Sequence, residues 1–211
     1  MAGMERLKQE MAVRGLSRQT AATYLFHAKK YAGSGLAPRD YLEKISATKD
    51  PRTVNLAVAA IKFYHLAVLG QRIELPYQKR PQRLPEVLAQ EEVARMLCAT
   101  TNPKHRLILQ LLYGCGLRLS EVRDLQKADA RPGEGLLFVR QGKGMKDRIV
   151  SIPGSIGHSL HPFLIDDGYP YVLRSERGGQ LHRRTIQLVV KQAARKAGIK
   201  KHVHTHTLRH S

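Results

Sequence analysis

Two stretches of this chain, far apart in sequence, carry the residue types that grip a phosphodiester. Gly114-Cys115-Gly116-Leu117-Arg118-Leu119-Ser120-Glu121 sets an arginine and a carboxylate behind two glycines. His204-Thr205-His206-Thr207-Leu208-Arg209-His210-Ser211 adds a second arginine among histidines. A planar guanidinium offers paired donors to phosphate oxygens, which an ammonium cannot match. Glycines after an apolar run permit a sharp turn that delivers Arg118 at the edge of a core. Glu121, three residues on, can hold that arginine if the segment is helical; a plain surface Arg–Glu pair is the alternative. His206 and Arg209 stand at i and i+3, so on a helix they share a face suited to binding phosphate and handling a proton.

A third stretch, Gly142-Lys143-Gly144-Met145-Lys146-Asp147-Arg148, places a lysine between glycines. At a hairpin tip such a lysine can swing against a bound strand and protonate a leaving oxygen. Lys146 and Arg148 could add contacts to a nucleic-acid backbone, although an ordinary cationic hairpin reads the same way. The phosphate-loop spacing Gly-x-x-x-x-Gly-Lys-Ser/Thr is absent, which excludes an NTPase of that kind. His202, His204, His206 and His210 crowd one end, so a metal site, and with it a metal-dependent nuclease, stays open. No cysteine or acidic cluster lies beside them.

These groups sit in a strongly basic chain. Of 211 residues, 36 are Lys or Arg against 17 Asp or Glu, a net charge of +19, and the excess holds in both parts of the sequence. A polyanionic partner is the usual reason for such a balance. The cations are dispersed and not gathered beside an apolar amphipathic helix, which favours nucleic acid over a membrane surface. Cys98 and Cys115 cannot build a disulfide framework and read as reduced thiols. With no apolar run of membrane-spanning length and no signal-peptide pattern, a cytoplasmic, nucleoid-associated location is expected.

The elements that must position these residues fall into two groups. Residues 1–74 read as a small helical module: Ser17 caps one helix, Pro38 lies in the first turn of another, and Asp50-Pro51 opens a third that Gly70 stops. Residues 75–85 hold three prolines and several cations and read as a basic linker. Beyond it the pattern is mixed. Helices are expected over 90–99, 103–113, 121–126 (with Ser120 as cap), 155–165 and 185–197, and strands over 135–140 and 147–152 as a small antiparallel pair.

Taken together, Tyr113–Glu121, Gly142–Arg148 and His206–Ser211 occur in the order and separation of the tyrosine recombinase (phage integrase) family, and the chain resembles its Xer-type members. The likeness extends to Gly15-Leu16-Ser17-Arg18-Gln19-Thr20, to Leu84-Pro85-Glu86-Val87-Leu88 and to Arg174–Leu181. It implies a mainly α fold with a small antiparallel β-sheet. An N-terminal helical, SAM-like core-binding domain (1–74) would precede an α+β catalytic domain (86–211), incomplete at its C-terminus. The implied activity is site-specific strand exchange on duplex DNA, held in a C-shaped clamp, by a homo-oligomer of two to four copies, with no cofactor, metal or membrane. Arg118 and Arg209 would clamp the non-bridging oxygens of the scissile phosphate, and Lys143 would protonate the departing 5′ oxygen. His206 would hydrogen-bond the phosphate or take the nucleophile's proton, Glu121 would order the site, and His210 would support the helix. Arg18, Lys79, Arg80, Arg83, Lys146 and Arg148 are further expected DNA contacts. The attacking tyrosine of the family follows the second arginine, whereas all eight tyrosines here precede it. Residues 1–211 are therefore expected to bind DNA without cleaving it. A non-catalytic remnant acting as decoy, repressor or architectural protein is the alternative.

Overall fold

The computed structural model describes residues 2–81, 84, 86–140 and 147–211. The chain divides into two compact units, Met1–Arg83 and Leu84–Ser211. Mainly helical elements with one three-stranded antiparallel sheet make up the described residues.

The first unit holds helices α1 (Ala2–Val13), α2 (Arg18–Ala32), α3 (Pro38–Ser46) and α4 (Pro51–Tyr64). Polar caps start α2 and α4. Ser17 Oγ accepts from Thr20 N at 3.1 Å, and Asp50 Oδ1 accepts from Arg52 N at 2.9 Å with Pro51 in the first turn. Past α4 one π-helical turn, His65–Leu69, ends at Gly70 with a left-handed φ of 68°. Tyr31, Tyr41, Val54, Ala57, Val58 and Ile61 form one core of this unit; Leu7, Met11, Ala28 and Ala67 form another.

The stretch read as linker begins inside this unit. Leu75 is buried in the first core, and Asn55 clasps Gln78 through both of its amide atoms, at 2.9 and 2.8 Å. An apolar side chain with a core within reach, and backbone groups with partners, hold Leu75 and Gln78 to the unit despite Pro76 between them. Lys79 and Arg80 beyond them are exposed.

The second unit is built round α6 (Pro103–Tyr113), on which Leu107, Ile108, Leu109, Leu111 and Leu112 are all buried. A helix apolar on so much of its surface must be covered on several sides. Its cover comes from α5 (Gln90–Cys98), α7 (Leu119–Asp124), α8 (Gly154–Leu160), α9 (Arg183–Lys196) and α10 (Thr205–His210). Strands β1 (Ala130–Arg131), β2 (Leu136–Val139) and β3 (Arg148–Ser151) pair in the order β1-β2-β3, with Leu137 opposite Val150 and Val139 opposite Arg148. Leu137 and Val139 point into the core while β3 stays half exposed, the alternation a one-sided sheet requires. The expected pair of strands thus gains a third, β1, too short to show a period. The expected helix over 155–165 closes early, as α8 gives way to a tight turn at His161–Phe163 where Pro162 interrupts it.

Candidate phosphodiester site

The site is assembled by the end of α6. Gly114 N–H bonds back to Gln110 O at 2.7 Å, and Gly116 turns with φ +56°, a conformation any side chain would strain. Leu117 N–H can then return to Leu111 O at 3.1 Å, while Leu117 itself is buried. The next residue, Arg118, emerges at the start of α7. It occupies the cap position expected for Ser120, because Glu121 folds back to accept from the Arg118 backbone N–H at 2.7 Å. The carboxylate satisfies a helix-end donor that a serine two residues later could not reach.

Glu121 is the hub. Its side chain is only 5% exposed, and Arg118 Nη1 donates to Oε1 at 2.8 Å. Arg148, the first residue of β3, lies across both oxygens at 2.7 and 2.6 Å. Arg209 Nη1 stands 3.7 Å from Oε2 and also donates to the carbonyl of Gly116. Burial works against ionisation of Glu121, but the hydrogen bonds from Arg148 and Arg118 outweigh it, and the pKa is lowered to about 2. Three guanidiniums against one carboxylate leave a positive excess. Burial, and then the charge on Arg118, lower the Arg209 pKa from its ordinary value. Such a surplus in a partly dry site favours an anion.

α10 brings the second arginine. Thr205, Thr207 and Leu208 are buried, with Leu208 in the unit's core, while His206 and His210 are exposed and Arg209 is half-buried. The helix is capped by His204, whose Nδ1 accepts from Thr207 N at 3.0 Å. Both sides of the helix are tied down as well: Ser211 Oγ, just past its end, accepts from Leu88 N at 2.7 Å, and Glu86 accepts from His202 N, ahead of its cap, at 3.1 Å.

Beside Arg118 and His206 opens a cleft of about 510 Å³. Arg183, Gln187 and Lys191 of α9 line its wall, together with His204. They lie four residues apart and so face one way. Sequence reading missed this wall; the spacing of polar residues along an expected helix was the available signal.

Arg118, Glu121, His206 and Arg209 are thus brought to one place. Arg148 was expected to contact DNA, but it faces Glu121, because a buried carboxylate at hydrogen-bonding distance holds a guanidinium more firmly than solvent does. The His210 ring stacks on that of His206, 6.4 Å between centroids. Arg18, Lys79 and Arg80 are exposed on the first unit. Lys143, Lys146 and Arg83 lie outside the described residues. Successive rings of His202, His204 and His206 meet edge to face, and no group of three metal-ligating side chains gathers among the described residues. Among those residues no helix is long and apolar enough to cross a membrane.

Comparison with known proteins gives the family and the fold. The model of the phage integrase family matches residues 86–211. The chain is 34% identical to the tyrosine recombinase XerA of Thermococcus kodakarensis, over 99% of its own length and 78% of that protein's. Among solved structures, a XerA recombinase aligns at 27% identity with a TM-score of 0.56, covering 99% of this chain and 81% of the other. A lambda integrase tetramer bound to a Holliday junction aligns over 99% and 70% with a TM-score of 0.78. At 17% identity the latter is a likeness of fold.

Proposed function

Since the chain belongs to the phage integrase family of tyrosine recombinases, we propose that it serves site-specific strand exchange on duplex DNA, with Arg118 and Arg209 gripping the scissile phosphate. The observation that carries this reading is the convergence of those two arginines, 91 residues apart, on one buried carboxylate beside a cationic cleft. Each guanidinium keeps donors that Glu121 does not use, and the positive excess is what a pentacoordinate phosphorane dianion would balance. His206, which lines the cleft, hydrogen-bonds a non-bridging oxygen or takes a proton in this reading. Lys143 serves as the acid for the 5′ leaving oxygen.

Arg183, Gln187 and Lys191 follow the same duplex along α9, and the basic first unit, with Arg18, Lys79 and Arg80, closes a C-shaped clamp on it. The working form is a homo-oligomer on DNA, two to four copies; the lambda integrase of like fold is a tetramer on a Holliday junction.

The test is binding of a mixed-sequence DNA duplex over a range of salt, with a search for a covalent adduct. Affinity should fall steeply as salt rises, because each neutralised phosphate releases counterion. No adduct should form with residues 1–211. Affinity that stays flat from low to moderate salt would overturn the reading. Cleavage abolished by EDTA would point to the metal-dependent nuclease.

A further inference from the structure

Arg148 has the composition of a DNA contact and the geometry of something else. Both terminal nitrogens of its guanidinium are committed to Glu121, at 2.7 and 2.6 Å, in the two-pronged arrangement that fixes direction as well as distance. Arg118 spends one terminal nitrogen on the same carboxylate and lines the cleft with the rest. Arg148 does not line that cleft; it borders a separate hollow with Phe138, Val139, Arg140, Asp147 and Ile149.

Together, Arg148 and Arg118 place four hydrogen bonds on the two carboxylate oxygens, about the full complement a carboxylate accepts. A Glu121 so satisfied leaves Arg209 3.7 Å away, beyond hydrogen-bonding distance, and leaves Arg118 with donors to spare beside the cleft it lines. Without Arg148, a buried carboxylate with only half its partners would pull both arginines onto itself and would repel an incoming phosphate.

We propose that Arg148 is a positioning residue: it occupies Glu121 so that Arg118 and Arg209 keep donors for phosphate, and it ties the start of β3, just after Lys143 in sequence, to the arginine pair. This rests on the phosphate-gripping reading of the same site. The depressed pKa of Glu121, with the Arg148 hydrogen bond as the first cause opposing burial, is consistent with it.

The test measures binding of a mixed-sequence DNA duplex to residues 1–211 across salt, for Arg148→Gln, Arg148→Lys, Glu121→Gln and the Glu121→Gln/Arg148→Gln pair. Arg148→Gln should bind roughly tenfold more weakly, the scale of one lost charge-assisted hydrogen bond, with a lower salt slope as Arg118 and Arg209 turn from the phosphate to Glu121. Most of the loss should be recovered in the paired variant, since the unsatisfied carboxylate is then gone. Arg148→Lys keeps a charge but not the fork and should fall between; it decides the matter in the same way if Arg148→Gln does not fold. A slope lowered by about one, with no recovery in the pair, would make Arg148 a phosphate contact and overturn the proposal. Were the underlying reading at fault, the unsubstituted chain itself would lack a salt slope.

Discussion

The Arg209 guanidinium donates to the Gly116 carbonyl, so the last helix is fastened to the turn that launches Arg118. One backbone group, presented by a left-handed glycine, therefore sets where the second arginine lies relative to the first.

Gly116→Ala should destabilise the chain by about 1–2 kcal/mol. A Cβ at this position meets nothing within 4 Å, so the cost is conformational and not a clash. The variant should also bind DNA more weakly than its lost stability explains, because the carbonyl that holds Arg209 is displaced. Urea midpoints set beside binding measured well below the unfolding transition separate the two effects. Wild-type stability would refute the point.

Arg118→Ala and Arg209→Ala should each lower the salt slope of DNA binding by about one. In a form that cleaves, each should cost about 3 kcal/mol of transition-state stabilisation, by comparison with the loss of one oxyanion donor. Arg→Lys at either position should retain part of the slope and little of the rate, since an ammonium lacks the paired donors.

Glu121 has its pKa lowered from 4.5 to about 2, against the opposing effect of burial. Its contribution to stability is present above pH 4.5 and is lost as pH falls through about 2. With partners that are one-third exposed, the contribution is on the order of 2 kcal/mol. Denaturant midpoints should drop less on acidification in Glu121→Gln than in the unsubstituted chain, because amide replaces the titrating group. Equal drops in both would show that the carboxylate is not held in this way.

His204 has its pKa lowered from 6.5, first by burial and then by His206 and His202. Its cap on α10 needs a neutral Nδ1 to accept from Thr207. That stabilisation is present above pH 6.5 and disappears as pH falls through the lowered value, costing about 1 kcal/mol. His204→Asn retains an acceptor that does not titrate, and should remove this share of the loss on going from about pH 7 to about pH 5. Chemical shifts of the His206 ring, followed across the same range, would report whether α10 loosens.

Much of this was legible in the residues alone. The caps at Ser17 and Asp50 and the helix over 103–113 rest on local rules, in which each backbone group is satisfied within a few residues, and the two strands on their apolar, alternating pattern. The order of the arginine, lysine and histidine motifs likewise pointed to the family. What depends on groups distant in sequence could not be read there. Arg148 looks like any cation at a turn until folding sets the buried Glu121 within 2.7 Å of it, and Leu75 looks like linker until a core is there to receive it. The cap on α10 falls to His204 because the fold buries Thr205 and Thr207 and ties the ends of the segment to residues 86–88. Sequence determined which charges this protein has; tertiary structure alone decided which of them neutralise one another, since Coulomb energy depends on distance and burial, and neither is a local property of the chain.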